Sequence, residues 1–365
     1  MKIVFRTDAS IQIGTGHVMR CLTLANALRL KGAECTFICR AHTGHLLDLI
    51  HQCGHDAIAL AINDAQHSDS PKTTPIHAAW LGSDWTTDAS DTQKAIAPQA
   101  VDWLVVDHYA LDERWEKSMR TYCRRLMVID DLADRPHDCD LLLDQNLGRT
   151  AEDYEQLISP IATALIGTRY ALLRPEFFAL RQESLARRLK PQLKHLLITM
   201  GGVDKDNATD EVLNALRHCT LPQTLRITVV MGQHAPWLTH VQATAQTMPW
   251  PTEVRVNVDD MARLMTDSDL VIGAAGGTAW ERCSLGLPSL VTALAENQRA
   301  GAEALKNRGA ALTFQNSHEL AVLIENPLIS AEQPRLLQEL SAAAAAITTG
   351  NGVSLVLQNL EHLDA

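Results

Sequence analysis

Apolar residues along this chain gather in short unbroken runs, separated by longer stretches where they recur at helical spacing. Candidate strands fall at 3–7, 35–39, 104–107, 126–129 and 141–143, and a second series falls at 196–200, 227–231, 254–256, 270–272, 289–292 and 311–314. Continuous apolar strands alternating with helices predict parallel sheets covered on both faces. The class expected is α/β, with two doubly wound domains facing a cleft. The pattern breaks at 187–192, Arg-Arg-Leu-Lys-Pro-Gln, so the expected domains are 1–188 and 189–365. Closing helices are expected at 340–347 and 353–363. Residues 63–92 are polar and rich in Ser, Thr, Asp and Trp, which predicts a surface loop or an excursion at the cleft.

A length of 365 residues suits two cores better than one, and 46% apolar residues suffice to fill them. The formal net charge of -11 argues against a nucleic-acid binder that relies on bulk charge. The eight cysteines include no CxxC pair, so reduced thiols in a cytoplasmic protein are expected, with no zinc site. No apolar run reaches membrane-spanning length, and a strand begins directly after the initial Met1-Lys2, so neither a membrane span nor a signal peptide is expected.

The most informative stretch is Gly14-Thr15-Gly16-His17, between the first strand and a helix expected from 18 to 30. A glycine turn there lets a ligand approach bare backbone amides. His17 falls in the first helical turn, where the positive end of the helix dipole disfavours an imidazolium; a neutral imidazole in a crevice serves as a general base. Asp8 is expected to orient that ring, and Arg20 to meet phosphate or solvent. Against a dinucleotide fingerprint, Met19 replaces the third glycine and Arg40 stands where a ribose-binding acid belongs. Tyr109, at the end of a central strand, is a further ligand candidate.

The second half opens in the same way, with Gly201-Gly202 after a strand and Asn207 as either helix cap or ligand contact. A third turn, 273–278, brings Gly277 and Thr278 ahead of Glu281, whose carboxylate is suited to both hydroxyls of a ribose. Asn297 and Gln298 follow the next strand and are candidates for reading sugar substituents. The aspartates 130, 131, 134, 138, 140 and 144 match no metal-loop spacing and read as caps and turns, so no metal is expected.

The stretches RTDASIQIGTGHVMRCLTLANAL, LVVDHYALDERWE, VIDDLADRPHDCDLLLDQN, YALLRPEF, ITMGGVDKDNAT and GTAWERCSLGLPSLV…AENQ resemble the UDP-sugar hydrolases of pseudaminic acid biosynthesis, over nearly the whole chain. The resemblance implies two Rossmann-like domains of the GT-B type, similar to inverting glycosyltransferases. It implies hydrolysis of UDP-2,4-diacetamido-2,4,6-trideoxy-β-L-altropyranose by water, with inversion and without a cofactor. It carries the base role onto His17 and substrate binding onto Asn207 and Glu281. The implied partner is the small UDP-sugar, with no nucleic acid and no membrane, for a monomer or weak oligomer. The alternatives on the same fold are a UDP-sugar glycosyltransferase or epimerase, and outside catalysis a nucleotide-sugar-binding module.

Overall fold

Along β1 (Lys2–Thr7), Ile3 and Phe5 enter one apolar core while Val4 enters another. The same alternation runs through β4 (Val101–Asp107), where Trp103 and Val105 share the first core and Leu104 and Val106 the second. A strand that feeds two cores must lie inside a sheet covered on both faces. The computed structural model describes residues 1–63, 75–326, 328, 330 and 332–364.

The described residues form two units, Met1–Leu172 with Val353–Ala365, and Leu173–Gly352. In the first, β2 (Glu34–Arg40), β3 (Asp56–Leu60), β5 (Cys123–Ile129), β6 (Leu141–Asp144) and β7 (Thr163–Ile166) join β1 and β4 in a parallel sheet of order β3-β2-β1-β4-β5-β6-β7. In the second, β8 (His195–Thr199), β9 (Arg226–Met231), β10 (Thr252–Val256), β11 (Leu270–Ala274), β12 (Ser289–Thr292) and β13 (Leu312–Thr313) give the order β10-β9-β8-β11-β12-β13, again parallel. Each order reverses beside its first strand, and ligands of such sheets gather at the carboxyl ends flanking that reversal. The functional candidates lie at those two places.

The division of the chain differs from the expected boundary at 188. The segment 187–192 ends the helix Pro175–Arg187, which belongs to the second unit: Phe177 and Leu180 pack beside Leu197, Val230 and Met265. The arginines that suggested a linker bind carbonyls of that unit, Arg187 to Ser268 at 3.2 Å and Arg188 to Met265 at 3.0 Å. The last helix, Gly352–Asp364, returns to the first unit, where Val356, Leu357 and Leu360 join its core. Burying each such side chain gains roughly 1.5–3 kcal/mol, enough to draw the chain's end back. Strands β3 and β7 escaped the apolar pattern because both are short sheet edges, half exposed or only partly buried.

The polar stretch 63–92 is not simply a loop. Residues 64–74 lie outside the described residues, but Ala78–Leu81 is a 3-10 turn and Trp85–Ile96 an α-helix capped by Asp84, which accepts from Thr86 N and Thr87 N at 3.0 Å. The fourth residue after the cap is buried by charge rather than by apolar contact. Asp88 takes Arg6 Nη2 at 2.7 Å and Arg40 Nη2 at 2.6 Å, with all three side chains fully buried. No described helix is long and apolar enough to cross a membrane.

Candidate active site

In the first glycine turn only Gly14 adopts a positive φ, 84°. Its N–H donates to Ser10 O at 2.8 Å, and Ser10 Oγ accepts from Gln12 N and Ile13 N, so the turn closes on itself. Gly16 is exposed and faces open space. Thr15 precedes the helix Gly16–Leu30 without capping it through its side chain. This geometry puts His17 in the first turn and buries all but 7% of it.

The ring is oriented by Asp107, not by Asp8. Asp107 ends β4, next to β1, and its Oδ1 lies 2.5 Å from His17 Nδ1. A carboxylate accepts only, so Nδ1 carries the hydrogen and Nε2 presents a lone pair with no hydrogen-bond partner among the described residues. Arg20, one helical turn on, brackets the same carboxylate, with Nε to Oδ2 at 2.6 Å and Nη2 to Oδ1 at 2.7 Å. Burial alone pushes the Asp107 carboxyl up, but the charge of Arg20, with the hydrogen bonds from Arg20 and His17, outweighs it and holds Asp107 well below the usual carboxylate range. Asp8 is turned elsewhere: it is fully buried, it pairs with Arg6 at 2.6 Å, and it accepts from Arg40 N at 2.7 Å. The buried guanidinium of Arg6, two residues back on β1, outcompetes a ring across the turn.

Arg20 is also not an open phosphate contact. Its Nη1 reaches Asp131 at 2.7 Å, so both ends of the guanidinium are held by carboxylates. Tyr109 lies edge-on to His17, with ring centroids 4.5 Å apart, and its hydroxyl donates to Asp131 Oδ2 at 2.6 Å. The rings of His77 and Trp80 continue this wall: Trp80 is 4.2 Å from His77 and 5.9 Å from Tyr109. Asp107 as the orienting group, together with Asp131, His77 and Trp80, escaped the sequence reading. The pairing of β1 with β4 signals the first. No periodic pattern marks the others.

In the second unit the turn after β8 is pinned by Gly202, whose carbonyl accepts Gly232 N at 3.0 Å; a Cβ on Gly232 would collide with that carbonyl. Asp204, not Asn207, caps the helix Ala208–Arg217, taking Ala208 N at 2.8 Å and Thr209 N at 2.9 Å. Asn207 sits at φ 60° with its Oδ1 buried and unpartnered, which leaves its amide for a ligand. Within β11, Gly273 has no room for a Cβ because Arg282 and the Thr199 carbonyl pack against it. Gly277 and Thr278 open the helix Thr278–Ser284, and Glu281 lies within its first turn. The charged partner of Glu281 is Arg174, 3.8 Å away, and no hydrogen bond reaches its carboxylate among the described residues. Burial pushes Glu281 up, with Arg174 opposing. Gln298 folds back, its Oε1 accepting Leu294 N at 3.0 Å, while Asn297 is exposed. Among the described residues no group of three or more His, Cys, Asp or Glu side chains is placed to hold a metal.

Comparison with known proteins follows this division. Residues 195–353 match the model of the glycosyltransferase family 28 C-terminal domain. The chain is 27% identical, over 86% of its length and all of the relative's, to the UDP-2,4-diacetamido-2,4,6-trideoxy-beta-L-altropyranose hydrolase of Campylobacter jejuni. It is 26% identical over 82% of its length to an uncharacterised protein of Methanocaldococcus jannaschii, of which the match spans 57%. The crystal structure of Acinetobacter baumannii MurG superposes with a TM-score of 0.67 at 17% identity, covering 99% of both chains. The resemblance read from the motifs therefore holds along the chain, and the fold is of the GT-B type.

Proposed function

We propose that this protein hydrolyses a UDP-linked 2,4-diacetamido-2,4,6-trideoxy sugar to UDP and the free sugar. An enzyme acting on nucleotide sugars is supported by the family model and by the Campylobacter relative. The finer reading rests on one observation: His17 is held by Asp107 in the tautomer that leaves Nε2 as an acceptor. Water gives its proton to Nε2 as its oxygen bonds to the anomeric carbon. The bond from that carbon to the β-phosphate oxygen breaks, and its electron pair leaves with UDP. One displacement inverts the centre. UDP is a stable leaving group, so no protein acid is needed.

The nucleotide falls to the second unit in this reading. Glu281 accepts from the ribose hydroxyls, Asn207 and the turns at Gly202 and Gly277-Thr278 serve the diphosphate, and Asn297 with Gln298 serves the sugar. In the first unit, Gly14, Thr15 and Gly16 shape the approach to His17, and the Tyr109, Trp80 and His77 rings provide an apolar wall for sugar C–H groups. Arg20 and Asp8 are supporting residues rather than ligand contacts.

The test is UDP release by purified protein with no added acceptor, for the wild type and His17→Ala. General-base catalysis contributes about 10²–10⁴-fold, so a loss of that size with UDP affinity retained is expected. Full turnover by a folded His17→Ala overturns the base assignment. Strict dependence on an added acceptor favours a transferase, and tight binding without turnover a binding module.

A further inference from the structure

The aspartates read from sequence as caps and turns divide by role. Asp138 and Asp140 hold Arg120 at the sheet's far end. Asp130, Asp131 and Asp144 converge on one buried phenol and on the arm that supports His17. Tyr154 ends the 3-10 turn Ala151–Tyr154 and is fully buried. Its hydroxyl lies 2.9 Å from Asp130 Oδ2 and 2.9 Å from Asp144 Oδ2.

A phenol has one proton and can donate it to one carboxylate. The other contact sets lone pair against lone pair unless that carboxyl brings a proton of its own. Asp130 is the ionised partner: Arg135 Nη1 lies at 2.9 Å, and Leu132 N and Ala133 N donate to its Oδ2 at 3.2 and 2.8 Å. Burial raises it, but chiefly the Arg135 charge brings it down to about 2. Asp144 has no such support. Its Oδ1 accepts from Asn146 N and Nδ2, both at 2.8 Å, and its nearest cation, Arg149 Nε, stands 3.5 Å from Oδ2 and outside hydrogen-bond geometry. Burial first, and then the Asp131 charge, push the Asp144 carboxyl up to about 7.

We infer that Asp144 is a neutral carboxylic acid donating from Oδ2 to Tyr154, and that in this form it is a positioning residue for His17. The link is Asn146, whose Nδ2 donates to Asp144 Oδ1 and to Asp131 Oδ1, each at 2.8 Å. An amide has two N–H groups, one for each oxygen. Asp131 in turn receives Tyr109 and Arg20, and Arg20 brackets the Asp107 that holds His17. Ionising Asp144 puts two carboxylates on either side of one amide and faces Tyr154 with two anions. The cations around the cluster are already engaged: Arg149, 3.5 Å from Asp144, by Leu132 O at 2.7 Å and by Asp153 at 4.0 Å, Arg20 by Asp107 and Asp131, Arg135 by Asp130, and His137 by Glu116 at 2.7 Å and Asp130 at 3.9 Å. Asp131 is then pulled from its register, and Tyr109 and Arg20 move with it.

The catalytic part of this inference rests on the hydrolase reading, so the experiment separates the two. In wild-type protein, difference infrared spectra between pH 6 and pH 9 show the loss of one protonated carboxyl band, absent in Asp144→Asn. The low-field proton resonance of the His17 Nδ1–H shifts with the same midpoint, and does not shift in Asp144→Asn. UDP release, normalised to each protein's own plateau, falls about tenfold per pH unit above that midpoint in the wild type, and this basic limb is missing from the variant. No carboxyl band, or a His17 resonance blind to Asp144, overturns the inference in the wild type alone. If the protein releases no UDP, the hydrolase reading fails while the two spectra still decide whether Asp144 holds a proton and moves His17.

Discussion

His17 and Asp107 meet across the first strand-order reversal, with Nδ1 and Oδ1 2.5 Å apart, although 90 residues separate them in the chain. The carboxylate that fixes the ring is itself fixed, because Arg20 takes both of its oxygens. The tautomer of His17 therefore depends on a carboxylate that is itself fully buried.

Asp107→Asn preserves the shape but removes the charge, and its amide can present N–H to Nδ1 and select the wrong tautomer. A fall in kcat of about 10²–10⁴-fold is expected, as for loss of the base itself, with UDP affinity unchanged. Steady-state kinetics with UDP titration calorimetry check this. Equal loss in kcat and UDP affinity points to a collapsed site instead.

How much of this was legible in the sequence depends on the range of the interaction. The unbroken apolar run Ile3-Val4-Phe5 is local, so the parallel sheets followed from runs of that kind, and the glycine turn before His17 needed only a strand and a helix. Asp8 seemed the orienting acid because it is near in sequence. The choice between Asp8 and Asp107 was decided by Arg6, which is committed to Asp8 and Asp88 inside the sheet. Burial of paired charges leaves no periodic trace. For the same reason the helix Trp85–Ile96 looked like a loop: its anchor, Asp88, is polar. The return of Gly352–Asp364 to the first unit was hidden because its apolar face fits any open core equally well.

Glu281 has a partly buried carboxylate with no hydrogen bond among the described residues and one loose ion pair to Arg174, so donors from a ligand gain more there than at a satisfied acid. Glu281→Gln keeps the size and halves the acceptor capacity. UDP affinity is expected to weaken about tenfold, roughly 1.4 kcal/mol, while uracil-free diphosphate binds as before. Calorimetry with UDP and with pyrophosphate distinguishes the ribose role from a general loss of the turn.

The Trp80 ring centroid lies 5.9 Å from that of Tyr109 and 4.2 Å from that of His77, both pairs tilted, and the proposed function has this wall meet the sugar rather than the nucleotide. Trp80→Ala is expected to lower kcat/KM for the UDP-sugar about tenfold, on the order of 1 kcal/mol for a lost aromatic contact, and to leave the Kd of UDP unchanged. A UDP affinity that falls in parallel removes the wall from the sugar.

The Asp130 carboxyl sets an acid limit on stability. Its folded value of about 2 lies below the ordinary value near 4 of an unfolded chain. A depressed acid stabilises the fold above the unfolded value and loses that contribution as pH falls from about 4 towards 2, a term of about 2 kcal/mol. Urea unfolding of the wild type is expected to weaken over that window. In Asp130→Asn the contribution is already missing at pH 7, and the acid limb is shallower by the same amount. Parallel curves for the two proteins would show that Arg135 does not hold an anion there.

Asp88 is the other buried hub, and it bears on the fold more than on the chemistry. Its Oδ1 accepts from Arg6 Nε and Trp115 Nε1, both at 3.1 Å, and its Oδ2 from Arg6 and Arg40. Asp88→Ala leaves two fully buried guanidiniums, Arg6 with Asp8 and Arg40 with only Asp91 at 3.8 Å, and breaking a buried pair from one side costs about 3–5 kcal/mol. At roughly 2–4 °C per kcal/mol for a unit of this size, the melting temperature is expected to fall by about 10 °C. Asp88→Asn, which keeps the acceptor from Arg40 but not the charge, is expected to fall between the two. Since β1 carries Arg6 and leads into the turn before His17, kcat measured well below the transition separates anchoring of the sheet from a direct effect on the site. A variant that melts like the wild type would mean the arginines find carboxylates or water elsewhere, and that the helix Trp85–Ile96 is held by its apolar contacts alone.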